Sequence, residues 1–385
     1  MEIEVSQSKL AKALNNVSRI ATGRVTLPVL NNVLIRVNKG KVSLITTNLD
    51  MAIIDFLPVS DSKDGVITVP AKLLAEFISN LPKNEKIKLT AKDTKVTITA
   101  GKYSSSINGT SADDFPELPE INEKNAVVFK IGIDEFKNGI NQVAIASSND
   151  LTRPALTGIY FNTYDKILAI AATDGYRLAE KKLVKNVQSD ISVIVPATSL
   201  QEVLRAIDDS MDEVEISFND DLVRFRLGEI EIISKLIDAS YPDYKRLIPK
   251  DNNIKIEIDR EELSRVTKLA ALFARRSASG SIICEAKKPD IFSVRSVASE
   301  LGENDSTIET KVEEEGKINL NSRFLLDALN VLEEKVITLE FANRVSPIIL
   351  KNKQNDDYTH IVMPLNQWLS RKSLLQILET TSNIT

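Results

Sequence analysis

Residues 172–179 read Ala-Thr-Asp-Gly-Tyr-Arg-Leu-Ala and stand between two apolar runs near the middle of the chain. The run before them is ILAIA at 167–171, and Leu178 and Leu183 continue the apolar positions after them. An Asp-Gly pair between two such runs is a strong signal for a β-hairpin. We therefore predict a strand, a turn and a second strand. A hairpin alone implies no function, but glycine followed by tyrosine and arginine is also typical of binding surfaces.

The hairpin belongs to a unit that the sequence contains three times. Each copy opens with a short alternating strand, a polar residue suited to helix capping and an amphipathic helix. The capping residues are Ser6, Asp134 and Asp259. The first helices share an apolar position at Leu10, Phe136 and Leu263, which are 126 and 127 residues apart.

Two further landmarks have the same period. A strand that leads into a second helix ends at Pro70, Pro196 and Asn321, which are 126 and 125 residues apart. An apolar strand ends at Thr47, Thr173 and Ser299, which are 126 residues apart. Three independent landmarks with one period indicate a threefold internal repeat.

Each repeat reads as strand, helix, strand pair, strand, helix and a final strand group. This order predicts an α+β domain with helices on one face of a mostly antiparallel sheet. Polar, proline-containing joints place the boundaries at 1–122, 123–250 and 251–365. We call these ranges the first, second and third repeat. Repeats of this size favour a ring or an arc over a solenoid, with the helices turned inward.

The composition is that of an ordinary globular protein, with 43% hydrophobic and 27% charged residues among 385. The sequence contains no apolar run of 18 residues and no signal-peptide pattern. A single cysteine, Cys284, cannot form an internal disulfide and is expected to be a small buried hydrophobe. We therefore expect a cytoplasmic protein without a membrane partner.

The sequence contains few side chains that suit catalysis or metal binding. One histidine, His360, and one cysteine exclude zinc clusters and most nucleophilic triads. Neither a GxxxxGK[ST] loop nor GxGxxG is present, so we expect no cofactor and no metal. The remaining classes are a binding or assembly protein, or an enzyme that uses only carboxylates at Asp174 or the Asp113–Asp114 pair. No second landmark supports a cleft at those acids.

Four motifs follow one another along the chain: TLPVLNN at 26–32, ATDGYRL at 172–178, YPDYKRLIP at 241–249 and VMPL at 362–365. In these motifs and their order, the chain resembles the family of bacterial DNA polymerase III beta subunits, the sliding clamps. The resemblance covers residues 1 to about 365. It implies three clamp domains per chain and a head-to-tail homodimeric ring, with helices lining the inside and sheets outside. Such a ring encircles duplex DNA and acts as a processivity factor, so the family implies a non-catalytic protein.

The resemblance also implies a groove that receives short peptides from partners such as the clamp loader and the replicative polymerase. We call it the partner groove. Aliphatic side chains and a methionine would form an adaptable apolar pocket with arginines at its rim. The matching residues are Leu156, Thr173, Gly175, Tyr176, Arg177, Leu178, Pro242, Arg246, Leu247, Val362, Met363, Pro364 and Leu365.

DNA contacts in such a ring should be sequence-independent attractions to phosphate. The first helix carries Lys9, Lys12 and Arg19 without an acid between residues 8 and 20, although the whole chain has a net charge of −5. The second repeat departs from the family because the neutral Ala197 and Thr198 follow Pro196. The candidates for DNA binding are Arg24, Lys72, Lys102, Asn149, Arg205, Arg275 and Arg276.

Ring closure would join the first repeat of one copy to the third repeat of the other. Ile107, Leu272 and Phe273 occupy the matching positions, while Ser105 replaces a residue that is commonly larger and apolar. Residues 366–385 extend beyond the family pattern. Trp368, Leu375 and Leu378 have helical spacing there, so this extension either packs on its own domain or folds near the partner groove. A second function stays open, namely a ring or arc that binds proteins without encircling DNA.

Overall fold

The structure is a computed structural model that describes residues 1–21, 27–59, 61–123, 125–249, 251–274, 280–299 and 301–365. The predicted sites Arg24, Arg275 and Arg276 and the extension 366–385 lie outside the described residues. Within them the helices are α1 (Gln7–Val17), α2 (Ala71–Ser79), α3 (Ile133–Ala144), α4 (Ala197–Ala206), α5 (Arg260–Ala274) and α6 (Ser322–Val331). None of these helices is both long enough and apolar enough to cross a membrane.

The strands, in chain order, are β1 (Glu2–Ser6), β2 (Asn32–Asn38), β3 (Lys41–Thr47), β4 (Met51–Pro58), β5 (Ser62–Lys63), β6 (Gly65–Pro70), β7 (Lys86–Lys92), β8 (Lys95–Ala100), β9 (Tyr103–Asn108), β10 (Val127–Gly132), β11 (Gly158–Tyr164), β12 (Ile167–Thr173), β13 (Arg177–Lys185), β14 (Ser192–Pro196), β15 (Glu213–Phe218), β16 (Leu222–Leu227), β17 (Ile230–Lys235), β18 (Ile254–Asp259), β19 (Ser281–Lys287), β20 (Ile291–Ala298), β21 (Gly302–Glu309), β22 (Gly316–Asn321), β23 (Val336–Phe341), β24 (Ile348–Asn352) and β25 (Tyr358–Val362). Neighbouring strands pair antiparallel in the four sheets, as the repeat pattern predicts.

The helices follow the threefold repeat. The first helix of each repeat begins at Gln7, Ile133 and Arg260, and the second begins at Ala71, Ala197 and Ser322. Each of these six helices directly follows a strand, so strand and helix form one continuous element. The period that the sequence predicts is therefore also the period of the secondary structure.

Capping follows the prediction at only one of the three expected positions. The Asp259 carboxylate accepts the N–H groups of Glu261 and Glu262, both at 3.0 Å. The predicted cap Ser6 is wrong, because its side chain makes no capping hydrogen bond. Asp134 is also wrong as a cap, since it lies inside the first turn of α3 and stabilises that helix end by charge.

The chain forms two compact units, and unit 1 contains residues 1–133 and 198–236. Its smaller sheet has the order β5-β1-β7-β8-β9, and its larger sheet has the order β10-β15-β16-β17-β4-β3-β2-β6. Helix α1 packs on α2, β3 and β4. An apolar cluster that includes Leu34, Ile54, Phe115 and Ile233 fills part of the core.

Unit 2 contains residues 134–197 and 237–385, of which the described part ends at Leu365. One sheet has the order β14-β11-β12-β13-β25-β24-β23-β18, and the other has the order β21-β20-β19-β22. Helix α5 packs on α6 and on strands β19–β21. A second apolar cluster, which includes Ala171, Leu178, Tyr244 and Leu247, lies beneath the hairpin.

Each eight-stranded sheet takes four strands from one repeat and four from the next. In unit 1 the join is between β17 and β4, where Ile232 pairs with Ile53. In unit 2 the corresponding join is between β13 and β25, where Ala179 pairs with His360. Among the described residues, the strands at the equivalent positions in the smaller sheets, β9 and β21, have a neighbour on one side only. They are edge strands of their sheets.

Candidate partner-binding site

The predicted hairpin is present, and its turn has a fixed conformation. Strands β12 and β13 pair from Thr173–Leu178 onward and leave residues 174–176 as the link. The Asp174 carboxylate accepts the N–H groups of Tyr176 at 2.9 Å and Arg177 at 3.0 Å. Gly175 has φ of +90°, a left-handed conformation that favours glycine.

The side chain of Thr173 stabilises the same turn through two hydrogen bonds. Its hydroxyl donates to the carbonyl of Arg177 at 2.6 Å and accepts the N–H of Gly175 at 3.1 Å. Thr173 and Leu178 are buried, whereas Tyr176 keeps 54% of its surface exposed. The turn therefore presents a large aromatic side chain on a rigid base.

Arg177 is buried and does not form the exposed rim that the sequence suggested. Its Nε donates to Asp174 at 3.0 Å, and its Nη1 donates to Asp327 on α6 at 2.6 Å. The guanidinium also lies 4.6 Å from the ring centroid of Phe324, which stacks with Tyr176 at 6.4 Å. Asp327 and Phe324 are residues that sequence reasoning missed, because they lie some 150 positions from the turn and no local pattern connects them.

The segment that follows β25 lies against the turn. Val362 is buried and pairs with Arg177 at the end of the sheet. The N–H of Met363 donates to the carbonyl of Tyr176, and that of Leu365 donates to the carbonyl of Asn319, both at 2.8 Å. Pro364, between them, is half-buried. Residues 363–365 are thus held between the hairpin turn and β22.

The third wall comes from residues 241–249. Residues Tyr244–Leu247 form a 3₁₀ turn in which Tyr244 and Leu247 are buried. Both belong to the apolar cluster beneath the hairpin, together with Leu178, and Met363 packs against that cluster. The structure therefore brings these three predicted segments together within unit 2.

Three predicted residues have less direct roles. Arg246 is exposed and pairs with Asp243 at 2.8 Å. Of the two arginines predicted for the rim of the groove, Arg246 is therefore the one at the surface, whereas Arg177 is buried. Pro242 is half-buried, and its carbonyl accepts the N–H of Tyr244 at 2.7 Å. Leu156 is buried in the short 3₁₀ turn Pro154–Thr157.

A buried acid anchors the linker turn. Glu180 on β13 accepts the phenol hydroxyls of Tyr244 at 2.6 Å and Tyr164 at 3.0 Å. Burial and the neighbouring carboxylate raise the pKa of both phenols, so they remain donors. Sequence reasoning did not find Glu180, since an acid in a strand is usually exposed.

The only histidine also lies in this region. His360 is fully buried on β25, and its Nδ1 is 2.8 Å from the hydroxyl of Tyr358, which donates to the carbonyl of Gln142 at 3.0 Å. Since that hydroxyl has one proton, Nδ1 carries the imidazole proton. Burial and the nearby Arg177 charge lower the pKa of His360 to about 3, so it is neutral and structural.

The described DNA candidates are exposed. Lys72 lies on α2, Asn149 lies before the 3₁₀ turn at 154–157, and Lys102 stands in the β8–β9 turn with Nζ 5.5 Å from the Tyr103 ring centroid. Arg205 is exposed but pairs with the buried Glu202. The exposure of these side chains is compatible with attraction to phosphate.

Helix α1 is less free to attract DNA than its sequence suggests. Within unit 1, Lys12 pairs with Asp208, whose pKa it lowers to about 2, and Arg19 pairs with Glu202 at 3.3 Å. The acids lie on or just after α4, nearly 200 positions from α1. The basic face predicted from residues 8–20 is therefore partly neutralised.

The predicted dimer residues are split between buried and exposed. Ile107 is buried within unit 1, Phe273 is half-buried and Leu272 is 52% exposed. Leu269, one turn before Leu272 on α5, is exposed as well, and the sequence analysis did not single it out. Together Leu269 and Leu272 form an apolar stripe on the surface of unit 2.

Comparison with known proteins gives one consistent result. Models of the N-terminal, central and C-terminal domains of the DNA polymerase III beta subunit match residues 1–119, 130–243 and 245–366. The Beta sliding clamp of Staphylococcus aureus strain COL is 28% identical over 379 residues, which are 96% of this chain and 100% of that protein.

Solved structures agree with the sequence relatives. The DNA polymerase sliding clamp of Bacillus subtilis superposes with a TM-score of 0.91 at 27% identity, covering 96% of this chain and 100% of that one. A Pseudomonas aeruginosa DnaN sliding clamp bound to griselimycin gives 0.90 at 26% identity, covering 95% and 99%.

The three-domain α+β fold and the matched domains define a sliding clamp. The chain belongs to the family of DNA polymerase III beta subunits, the beta sliding clamps. It is a processivity factor of DNA polymerase III and a non-catalytic subunit. The predictions of family, fold class and function are confirmed.

Proposed function

We propose that this clamp tethers its partners through the partner groove in unit 2. The observation that carries the proposal is that the turn 173–178, the linker 242–247 and the end segment 362–365 meet at one apolar cluster. Leu178 and Leu247 lie inside that cluster, and Met363 packs on it. Leu156 and the surface arginine Arg246 also belong to the residues that we propose for the partner groove.

The apolar lining suits a short extended peptide with a pair of hydrophobic side chains, and the family resemblance implies that the peptide also carries a glutamine. Tyr176 and Met363 offer adaptable apolar contact, and a rigid turn lowers the entropy that binding costs. Proteins with such peptides include the clamp loader and the replicative polymerase, which the family implies as partners. The same surface would serve each of them in turn.

The groove is tested by fluorescence anisotropy with a labelled synthetic peptide that carries one glutamine and a leucine–phenylalanine pair. Tyr176→Ala and Met363→Ala should each weaken binding about tenfold or more, because both side chains leave the apolar contact. Val128→Ala, on the exposed face of β10 in unit 1, is the matched control. Unchanged affinity in both groove variants would contradict the proposal.

We further propose that two chains close head to tail around duplex DNA. In each chain β17 pairs with β4 and β13 pairs with β25, while their repeat counterparts β9 and β21 are sheet edges. Pairing β9 of one copy with β21 of another would continue the same pattern. Three acids on β21, Glu303, Asp305 and Glu309, would meet an edge that has no acid between residues 103 and 108 and is preceded by Lys102.

The boundaries 1–122, 123–250 and 251–365 stay our proposal for the three clamp domains. Contacts at closure would include Ile107, Leu272 and Phe273. The residues that we propose for DNA attraction are Arg24, Lys72, Lys102, Asn149, Arg205, Arg275 and Arg276.

Light scattering across a dilution series tests closure, and we expect a mass of two chains. DNA encirclement is tested on a linear duplex, because a closed ring can thread onto it over the free ends. Blocking both ends afterwards with bound protein should retain the dimer at rising salt, whereas open ends should release it. A dimer that binds the peptide but is not retained on the end-blocked duplex would favour the alternative, a scaffold for proteins only.

A further inference from the structure

The turn that presents Tyr176 is attached to helix α6 through one buried arginine. Arg177 bonds to Asp174 inside the turn and to Asp327 on α6, a helix of the third repeat. Only 8% of Arg177 is exposed, so its charge needs both carboxylates. The ion pair to Asp327 is thus a link between the hairpin and the helix.

Phe324 provides a second contact between the hairpin turn and helix α6. The Arg177 guanidinium lies over Phe324, and Phe324 stacks with Tyr176 at an angle of 26°. Phe324 precedes Asp327 by one helical turn, so both face the hairpin. The half-exposed Tyr176 therefore rests on α6 through Phe324 and is held there by Arg177.

Asp327 has a second cation nearby, but the geometry favours Arg177. Arg323 Nε is 4.0 Å away and its side chain is 83% exposed, whereas Arg177 Nη1 is at 2.6 Å and buried. An exposed pair at that distance contributes little. The Asp327 carboxylate therefore serves chiefly to hold Arg177.

We propose that Asp327 is a positioning residue of the partner groove, which sets peptide affinity through Arg177 and the turn 174–177. Asp327 stands outside the predicted lining and acts on the peptide through Arg177 and Tyr176. This inference rests on the proposed function of the groove. It deepens that function by making α6 part of the peptide site.

The test measures affinity for the same labelled peptide. Asp327→Asn removes the charge but keeps the shape, and it should weaken binding roughly tenfold, as expected for the loss of one charge-assisted hydrogen bond. Asp327→Glu, which keeps the carboxylate, should recover most of the affinity. Arg323→Gln, which removes the other neighbour of Asp327, should leave affinity within about twofold of the starting protein.

A double-mutant cycle separates positioning from general stability. If Asp327 acts through Arg177, then adding Asp327→Asn to Arg177→Gln causes no further loss of affinity. Hydrogen exchange should also rise at the amides of 175–177 in Asp327→Asn by more than the fall in global stability accounts for, and affinity is measured well below the melting temperature of each variant. The inference would be overturned if the affinity losses of the two substitutions added together in the double mutant. It would also be overturned if the amides of 175–177 exchanged at the same rate in Asp327→Asn and in the starting protein.

Two outcomes distinguish this inference from the proposed function. If Tyr176→Ala loses peptide binding and Asp327→Asn does not, the groove stands and the role of Asp327 is wrong. If neither Tyr176→Ala nor Met363→Ala changes binding, the groove itself is misplaced.

Discussion

The phenol of Tyr244 donates a 2.6 Å hydrogen bond to the carboxylate of Glu180 inside unit 2. Tyr244 begins the 3₁₀ turn of the linker, and Glu180 lies on β13, three residues after Arg177. One strand thus anchors two walls of the partner groove, the hairpin turn at its start and the linker at its middle.

Glu180→Gln should destabilise the protein by about 1–3 kcal/mol, because a buried hydroxyl would face a weaker acceptor. The same change should loosen residues 244–247. Urea unfolding measures the first effect and peptide anisotropy the second. Glu313→Gln, at an exposed position, is the control and should change neither. Equal free energies of unfolding for the two variants would show that the buried Glu180–Tyr244 pair does not contribute to stability.

The stability of the protein should fall as the pH falls below about 6.5. His360 has a pKa of about 3 when folded, against an ordinary value of 6.5, so the unfolded chain binds the proton first. Stability therefore rises with pH between about 3 and 6.5, by at most about 1.4 kcal/mol per pH unit from this group. Since the chain has one histidine, NMR of the labelled imidazole can follow it directly. We expect no titration between pH 8 and 5, and a midpoint near 6.5 would contradict the buried neutral ring.

Cys284 should resist alkylation while the protein is folded. It is fully buried on β19, and burial raises the pKa of its thiol to about 12. The thiolate is the reactive form, so iodoacetamide at pH 8 should label the native protein very slowly and the urea-unfolded protein within minutes. Mass spectrometry of intact protein counts the adduct. Rapid labelling of the native protein would mean that the third repeat opens locally.

If the extension folds near the partner groove, deleting residues 366–385 should tighten peptide binding. The extension follows Leu365, whose N–H is bonded to Asn319 beside the groove, and it contains Trp368, Leu375 and Leu378. A tethered apolar segment would compete at high effective concentration. Peptide anisotropy of the shortened and full chains tests this. Equal affinities would favour packing of the extension on its own domain.

Local features of the fold were predictable from the sequence. The 126-residue period located the six helices, and the Asp-Gly pair located the hairpin, since both depend on residues close together in the chain. The predicted capping role of Ser6 is wrong, because the capping preference of a single residue predicts the local structure only weakly. The two long sheets, the Arg177–Asp327 link and the pairing of Lys12 with Asp208 were beyond prediction, because each joins residues separated by more than a hundred positions.

The candidate groove was found through family motifs rather than through chemistry. Tyr176 and Met363 are recognisable in those motifs, and the structure brings their segments together. Glu180, Phe324 and Asp327 carry no motif, and their roles appear only when strand and helix are packed.

The edge strands β9 and β21 raise the question of what stops assembly. A contact between them uses two different surfaces, so a dimer that failed to close would still offer one free end of each kind. Nothing in the contact itself would then prevent a third and a fourth chain from adding, and the product would be a filament. In the proposed assembly, the rotation between successive chains, not their affinity, would therefore limit the number of subunits. A substitution that changes the twist of either edge strand could leave binding strong and yet turn a closed particle into an open polymer.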